Sequence, residues 1–359
     1  MPELERKTLN PQRAYDQWLS EERIPVYGGY YIEDLAAVPV ERWERRGGLG
    51  AYIQLEGTGG TNDSYVCEIP ARASLNPQRH LFEEVIYILS GRGSTTVWYD
   101  EGHTQSFEWH EGSLFAIPLN AWHQHHNGLG DRNVRYVGVT SAPLVMDLFH
   151  NRDFVFNNPF VFADRYAGEE DYFSAEPKSL VGRFMDTNFV PDVRTLTLQQ
   201  WKERGAGGTN IMFEVADNTM VAHVSEFPVG TYKKAHRHGP GAHVMFLTGK
   251  GYSLMWPDGG DIIRVDWKPG GMVVPPLQWW HQHFNAGNTP ARYLAIRWGS
   301  RKYPMHGLAW NQDNVDKDVR AGGDQIEYED ENPQIRRVFE EALRATGATS
   351  RMPVVTKVG

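Results

Sequence analysis

One cysteine, Cys67, stands in a chain of 359 residues. A single cysteine excludes an internal disulfide and any cysteine-rich metal site. No apolar run approaches the ~18 residues of a membrane-spanning helix. The N-terminus MPELERKTLN is charged and has no apolar signal region. Lysine and arginine are scattered without a run, and the formal net charge is −9. That balance argues against nucleic acid or an anionic membrane as a partner. These absences lead to the expectation of a soluble cytoplasmic protein.

What is present is apolar, aromatic and turn-rich. A hydrophobic fraction of 40% supports sizeable cores, and the length fits two domains of ordinary size. Aromatics make up 12%, with 12 tryptophans, which suits a β-rich protein around an apolar cavity. The 36 glycines and 21 prolines imply many tight turns.

Taken in order, residues 1–50 read as a helical N-terminal extension. PQRAYDQWLSEER has few apolar anchors (Tyr15, Trp18, Leu19), and VPVERWERRGG (38–48) reads as a short helix stopped by Gly47 and Gly48. Residues 51–145 carry short runs of β-branched and aromatic residues, such as SYVCEIP, EVIYILSG and STTVWYD. Such runs indicate an antiparallel sandwich or barrel. Residues 146–205 read as a connector, with TLTLQQWKERG as a capped helix from near Thr197. The strand pattern returns over 206–300 in runs such as TMVAHVSEF, VMFLTG and RYLAIRW. Residues 301–359 form a C-terminal extension with a helix over Pro333–Ala345, capped by Asn332.

The two strand-rich regions are copies. A shift of 158 positions places Gly91 and Gly93 on Gly249 and Gly251, and Trp98 and Asp100 on Trp256 and Asp258. It also places Gly112 on Gly270, Pro118 on Pro276, and His123, Gln124, His125 and Asn127 on His281, Gln282, His283 and Asn285. A repeat of this length means two related domains rather than a solenoid, whose periods are ~20–50 residues.

Histidines mark the chemistry. His236 and His238 sit at i and i+2, so on a strand both side chains face one side. His281 follows a proline-containing turn in a second strand. Three imidazoles from two strands can hold one face of a metal, and imidazole suits Fe, Zn, Cu and Ni alike. In the first copy Gln78 takes the place of the first histidine, while His80, Glu84 and His123 remain. Two histidines and a carboxylate are a set associated with non-haem Fe(II), with Gln78 as a weak fourth ligand. The same groups could instead hydrogen-bond one another. His283, two residues past His281, is a candidate for supporting or acid–base chemistry, and His125 holds the same seat in the first copy. His243 has the opposite strand parity to Ala242 and is expected to face away from the metal. His223, His103, His110, His150 and His306 are read as ordinary packed or surface histidines, and His126 as exposed. Asn127 and Asn285 are expected to hold turns. Trp279, Trp280 and Trp256 are candidates for a core or for an aromatic pocket wall.

The order His236-x-His238, Ala242, Gly249, Pro276-x-x-x-x-His281-x-x-x-Asn285 resembles the two characteristic motifs of the cupin superfamily. The resemblance covers roughly residues 50–140 and 210–300. It implies an all-β protein of two double-stranded β-helix (jelly-roll) barrels, with a partly degenerate site in the first, the main metal site in the second, and helical terminal extensions. Most cupins carry glutamate where this chain has Ala242. Three histidines without that glutamate, and the run Trp280-His281-Gln282-His283, are similar to gentisate 1,2-dioxygenase and related three-histidine Fe(II) ring-cleaving enzymes. The resemblance implies a dioxygenase binding O2 and a small hydroxylated aromatic or other chelating acid, with Fe(II) as metal and Mn, Ni or Zn as alternatives. It also implies pairing of chains into a homo-oligomer.

One departure bears on the substrate. Gentisate-type enzymes place an arginine two residues past the alanine, where this chain has Val244. A carboxylate clamp must then come from elsewhere, and Lys234 and Arg297 are the candidates. Two other readings stand beside the dioxygenase. One is a non-oxidative metalloenzyme, such as a decarboxylase, isomerase or lyase using Mn, Zn or Ni. The other is a binding protein without turnover.

Overall fold

The strand Asp63–Ile69 shows how this chain is layered. Tyr65, Cys67 and Ile69 point into one core, and Val66 between them points into another. Successive strand residues face opposite sides, so a strand buried on both faces must lie between two layers. The computed structural model describes residues 4–100, 102–305 and 312–355. Within them each half folds a large sheet against a small one. In the first half an eight-stranded sheet runs from Val26–Tyr27 through Gly48–Ile53, Asp63–Ile69, Val134–Thr140, Glu84–Ser90 and Leu114–Ile117 to Phe189–Val190. It faces a small sheet of Trp122–Asn127, Arg92–Trp98 and Thr104–His110. The second half repeats this plan with nine and five strands.

The repeat holds at the level of hydrogen-bond register. Trp122 stands opposite Trp98 and Asn127 opposite Gly93; Trp280 stands opposite Trp256 and Asn285 opposite Gly251. Gly93 and Gly251 are required by close approach. A Cβ on Gly93 would meet His126 O at 2.1 Å and the Trp109 ring; on Gly251 it would meet Phe284 O at 1.8 Å and the Trp267 ring.

The second face of each large sheet packs on the other half. Ala51, Ile53, Val66, Val85, Val137 and Val139 meet Ile211, Phe213, Ala222, Val224, Leu294 and Ile296 in one continuous core. At about 1.5–3 kcal/mol for each fully buried aliphatic side chain, this contact is a principal source of stability. The segments flanking the strand-rich regions bind the halves further. Tyr31–Ile32, early in the chain, pairs with Met272–Val273 of the second half. Its repeat equivalent, Phe189–Val190, pairs with Leu114–Phe115 of the first.

Two expected helices are absent. Residues 41–43 form a strand antiparallel to Gly48–Ile53. The reason is tertiary: Trp43 is fully buried edge-on to Tyr52 and Tyr65, and Gly50 leaves room for its ring. The stretch after Thr197 forms a two-residue strand, Gln199–Gln200, and a 3-10 turn, Lys202–Arg204. Here Trp201 and Arg204 take the seats that Trp43 and Arg46 take 158 residues earlier, and burial of those two side chains overrides helix propensity. The helix Pro333–Thr346 is capped by Asn332, which accepts from Gln334 N, and ends at Gly347 with φ 72°. Ile335, Phe339 and Leu343 pack on Tyr232, Tyr252 and Phe284 and cover the outer face of the second small sheet. No helix among the described residues is long and apolar enough to cross a membrane.

Candidate metal centres

His236 and His281 are direct antiparallel partners. Their ring centroids lie 4.2 Å apart, and His238 stands 4.7 Å from His281 and 5.7 Å from His236. One ring nitrogen from each of the three lies within 4.8 Å of the others. Each Nδ1 lies against a backbone carbonyl: His236 on Lys234 O at 3.1 Å, His238 on Gly239 O at 2.8 Å, His281 on Trp279 O at 3.1 Å. An Nδ1–H donated to a carbonyl fixes the tautomer whose Nε2 lone pair can ligate. Burial holds the rings neutral, His236 and His238 well below their usual pKa and His281 down to about 4. The set therefore fits a metal held through three neutral nitrogens, with its other positions open.

The first half carries a different set. His80 Nε2 and His123 Nε2 each lie 3.6 Å from Glu84 Oε2. All three side chains are within 2% of complete burial, and none of these three atoms has a hydrogen-bond partner. Three orphaned ligand atoms converging in a sealed interior would each cost ~1–3 kcal/mol, and a metal satisfies them together. The contacts that His80 and His123 make with Glu84, at 3.6 Å, are long for hydrogen bonds. The other carboxylate oxygen, Oε1, accepts from Arg46 Nη2 at 3.0 Å and from Tyr65. Burial pushes the Glu84 carboxyl up, but Arg46 and His80 outweigh it and hold it well below the usual range. Gln78 is turned away, because its amide oxygen accepts from Arg45 at 3.0 Å. The strand partner is thus present but the fourth ligand is not supplied in this arrangement.

His283 and His125 hold equivalent places. His283 Nδ1 is 2.8 Å from Ser253 Oγ, and His125 Nδ1 is 2.8 Å from Thr95 Oγ1. The His283 ring lies 5.9 Å from that of His281, on the inner face. Ala242 is buried at the head of the strand, on the same face as Val244 and Phe246, which line the inner core. His243 has the other parity, with Met245, toward the first half.

Of the tryptophans that were candidates for core or pocket wall, Trp280 and Trp256 lie on the outer face of the small sheet. His281 faces inward, so Trp280 faces outward, where its Nε1 donates to Asp258 at 2.6 Å and Arg237 covers its ring. Trp256, opposite Trp280 and next to the inward Met255, lies on the outer face as well.

Lys234 is also displaced. It is ion-paired with Glu327, and its neighbour Lys233 is the one turned inward. Tyr232 bridges Phe284 and His236 pairs with His281, so four residues on one strand span three on the other. One extra residue bulges between them and reverses strand parity. Lys233 is 1% exposed, donates to Tyr293 Oη at 2.8 Å and lies over the rings of Tyr293 and Trp201. Arg297 is buried on the inner face with Tyr293 and Ala295, and its Nη1 donates to Trp298 O. His223, read as an ordinary packed residue, sits inside the second half, its ring 5.8 Å from Tyr293. Arg204 is fully buried and ion-paired to Asp316 at 2.8 Å. Lys233 and Arg204 were missed from sequence. Both were legible in the repeat, where Lys233 falls on Leu75 and Trp201/Arg204 on Trp43/Arg46.

The remaining assignments stand apart from the centres. His103 pairs with Asp100 at the surface, and His306 lies outside the described residues. Asn127 and Asn285 hold turns by donating to backbone carbonyls.

No protein-family model matches this chain, and no curated protein matches its sequence. Among solved structures it is similar to oxalate decarboxylase of Bacillus subtilis determined at pH 4.6. That likeness has 14% identity over 74% of this chain and 75% of that one, with a TM-score of 0.49. It is also similar to the same enzyme as used to assign its Mn(II) centres, at 15% identity over 74% and 76%, with a TM-score of 0.48. A third structure, addressing substrate binding and a reaction-specificity switch in oxalate decarboxylase, gives 16%, 74%, 76% and 0.49. Similarity at this level assigns neither reaction nor substrate to this chain.

Proposed function

We propose that this protein is a bicupin metalloenzyme that converts a small chelating acid, without oxidation, at the three-histidine set of its second half. Decarboxylase, isomerase and lyase chemistry belong to this class, with Mn, Zn or Ni at His236, His238 and His281. The observation that carries the reading is the company the three histidines keep. They share an interior with Lys233, Arg297 and His223, while Trp256 and Trp280 face outward. The cations among them suit an acid anion, beside the apolar side chains of Phe246, Trp267 and Tyr293.

A metal bound there would supply Lewis acidity at its open positions. The chain's own residues do the rest. Lys233 Nζ, donating to Tyr293 Oη, places a movable proton inside the sandwich. His283, held by Ser253, is a second proton carrier beside His281. Burial of Lys233, His281 and His283 limits water around the reacting acid.

The Fe(II) dioxygenase remains the second reading. Ala242 favours it, because it leaves an all-histidine set with no carboxylate. The deciding experiment measures metal content after anaerobic purification, then CO2 release and oxygen uptake. Substrates are a panel of small dicarboxylic, hydroxy and hydroxybenzoic acids. CO2 release or isomerisation without oxygen uptake supports the first reading. Stoichiometric oxygen uptake with Fe(II) overturns it in favour of the second.

A further inference from the structure

The outer faces of the two small sheets differ in what covers them. On the second, Tyr252, Leu254 and Phe284 lie under the helix Pro333–Thr346. On the first, the equivalent positions hold Ser94, Thr96 and His126, and the face is open to solvent. Helix cover accounts for the apolar residues, and its absence accounts for their polar replacements. Two residues break that rule. Trp98 and Trp122 stay tryptophan, at the positions of Trp256 and Trp280, and are partly exposed. They are cross-strand partners, with ring centroids 6.3 Å apart and planes inclined by 12°.

The neighbours of these rings are repeated too. Arg79 lies 4.8 Å from the Trp122 ring, as Arg237 lies 4.6 Å from that of Trp280. In the second half Asp258 accepts from Trp280 Nε1 and from Arg237, which ties the group together. In the first half Asp100 accepts from Gly102 N and His103 instead, so the Trp122 N–H has no carboxylate partner. The two indoles floor a depression of about 430 Å³, rimmed by Thr96, Thr104, Gln124 and Asp100. That volume falls in the ~300–1,000 Å³ range of small-molecule sites. Gln124 Nε2 donates to Leu75 O, which leaves the amide oxygen as an acceptor.

Three other occupants fit this face poorly. No segment outside the described residues is longer than six residues, too short for a second covering helix. Two tryptophans expose at most ~500 Å² between them, short of the ~1,200 Å² of a stable protein interface. Asp100 rims the depression and Glu108 stands on the same face, opposite Ser94, which disfavours an anion. A neutral ring with apolar faces and polar edges matches what is there. A pyranose has this form. Its axial C–H groups are slightly positive and rest on the electron-rich face of an indole, while its hydroxyls donate and accept at the edge. We infer that the outer face of the first small sheet binds a neutral saccharide. The sugar stacks on Trp98 and Trp122 and is hydrogen-bonded by Thr96, Thr104, Gln124 and Asp100. His123 and His125 point to the opposite side of the same sheet, so this site holds a sugar without presenting it to the candidate metal centre.

The test titrates the full chain with maltotetraose, cellotetraose, xylotetraose and mannotetraose, read by tryptophan fluorescence and binding heat. At least one is expected to bind with a millimolar Kd or tighter. Trp98→Ala and Trp122→Ala should each weaken that binding ~10-fold or more. Trp122→Phe keeps a ring and loses the N–H, and should weaken it about threefold. Far-UV circular dichroism shows that each variant keeps its fold, and the phenylalanine variant carries the test if an alanine variant does not. Binding of none of the four sugars would overturn the inference. So would binding that both alanine variants retain in full, since the sugar would then sit elsewhere. Sedimentation that shows dimers dissolved by Trp98→Ala, without sugar binding, would overturn it and give the face to a second copy of the chain.

Discussion

The two halves gather a candidate metal-binding set on equivalent strands, one with a carboxylate and one without. In the first, Glu84 brings a carboxylate into the ligand set and Arg46 holds that carboxylate in place. In the second, Ala242 removes it, and the interior fills with Lys233, Arg297 and His223. The first centre is sealed, its ligands at 0–2% exposure, whereas His238 is only partly buried. The backbone fixes where these side chains converge, and a handful of neighbouring side chains sets the charge around them. A closed, charge-compensated site suits structural permanence, and an open, cation-lined one suits turnover.

The comparison breaks most visibly at the ligands. His281→Ala should lower activity by ~100-fold or more and remove one metal equivalent, while His123→Ala should remove the other. Metal analysis beside steady-state rates separates the two, and equal loss of activity in both would end the division of labour. Next in size, Glu84→Gln should destabilise the fold by about 3–5 kcal/mol, because Arg46 is left as an unpaired buried charge. Urea unfolding measures it, and Ala242→Gly in the second half should show no comparable loss. Third, Lys233→Met should raise KM ~10-fold and Lys234→Met less than twofold; the reverse order would restore regular strand parity. Fourth is pH. His281 is depressed from 6.5 to about 4, so the unfolded chain binds the extra proton between these values. The stability this ring contributes is complete above pH 6.5 and lost as pH falls toward 4. Metal-free protein should show the urea midpoint falling across that window, with a shallower slope in His281→Gln. Smallest, Trp280→Phe should cost about 1 kcal/mol of stability for the bond to Asp258 and leave kcat within twofold.

The periodic features were legible in the sequence. The 158-residue repeat, the candidate ligand sets His236/His238/His281 and His80/Glu84/His123 that the fold brings together, and the capped helix at Pro333 all rest on spacing along the chain. What was not legible depends on non-local geometry. A single-residue bulge exchanged the roles of Lys233 and Lys234, and nothing in KKAHRH marks it. Trp43 and Trp201 pulled apparent helices into extended and 3-10 forms because distant cores needed their rings. Residue chemistry left Trp256 and Trp280 between core and pocket wall, although alternation from His281 already turned Trp280 outward.

The crossed strands have a consequence for how the molecule can be taken apart. Tyr31–Ile32 completes an edge in the second half, and Phe189–Val190 completes the matching edge in the first. Each half thus lends an arm to the other, as in an arm-exchanged dimer fused into one polypeptide. A fragment cut between the copies would lack its borrowed edge and bare the apolar sheet that its twin covers. The two fragments made together should find each other, since each carries the strand that the other is missing.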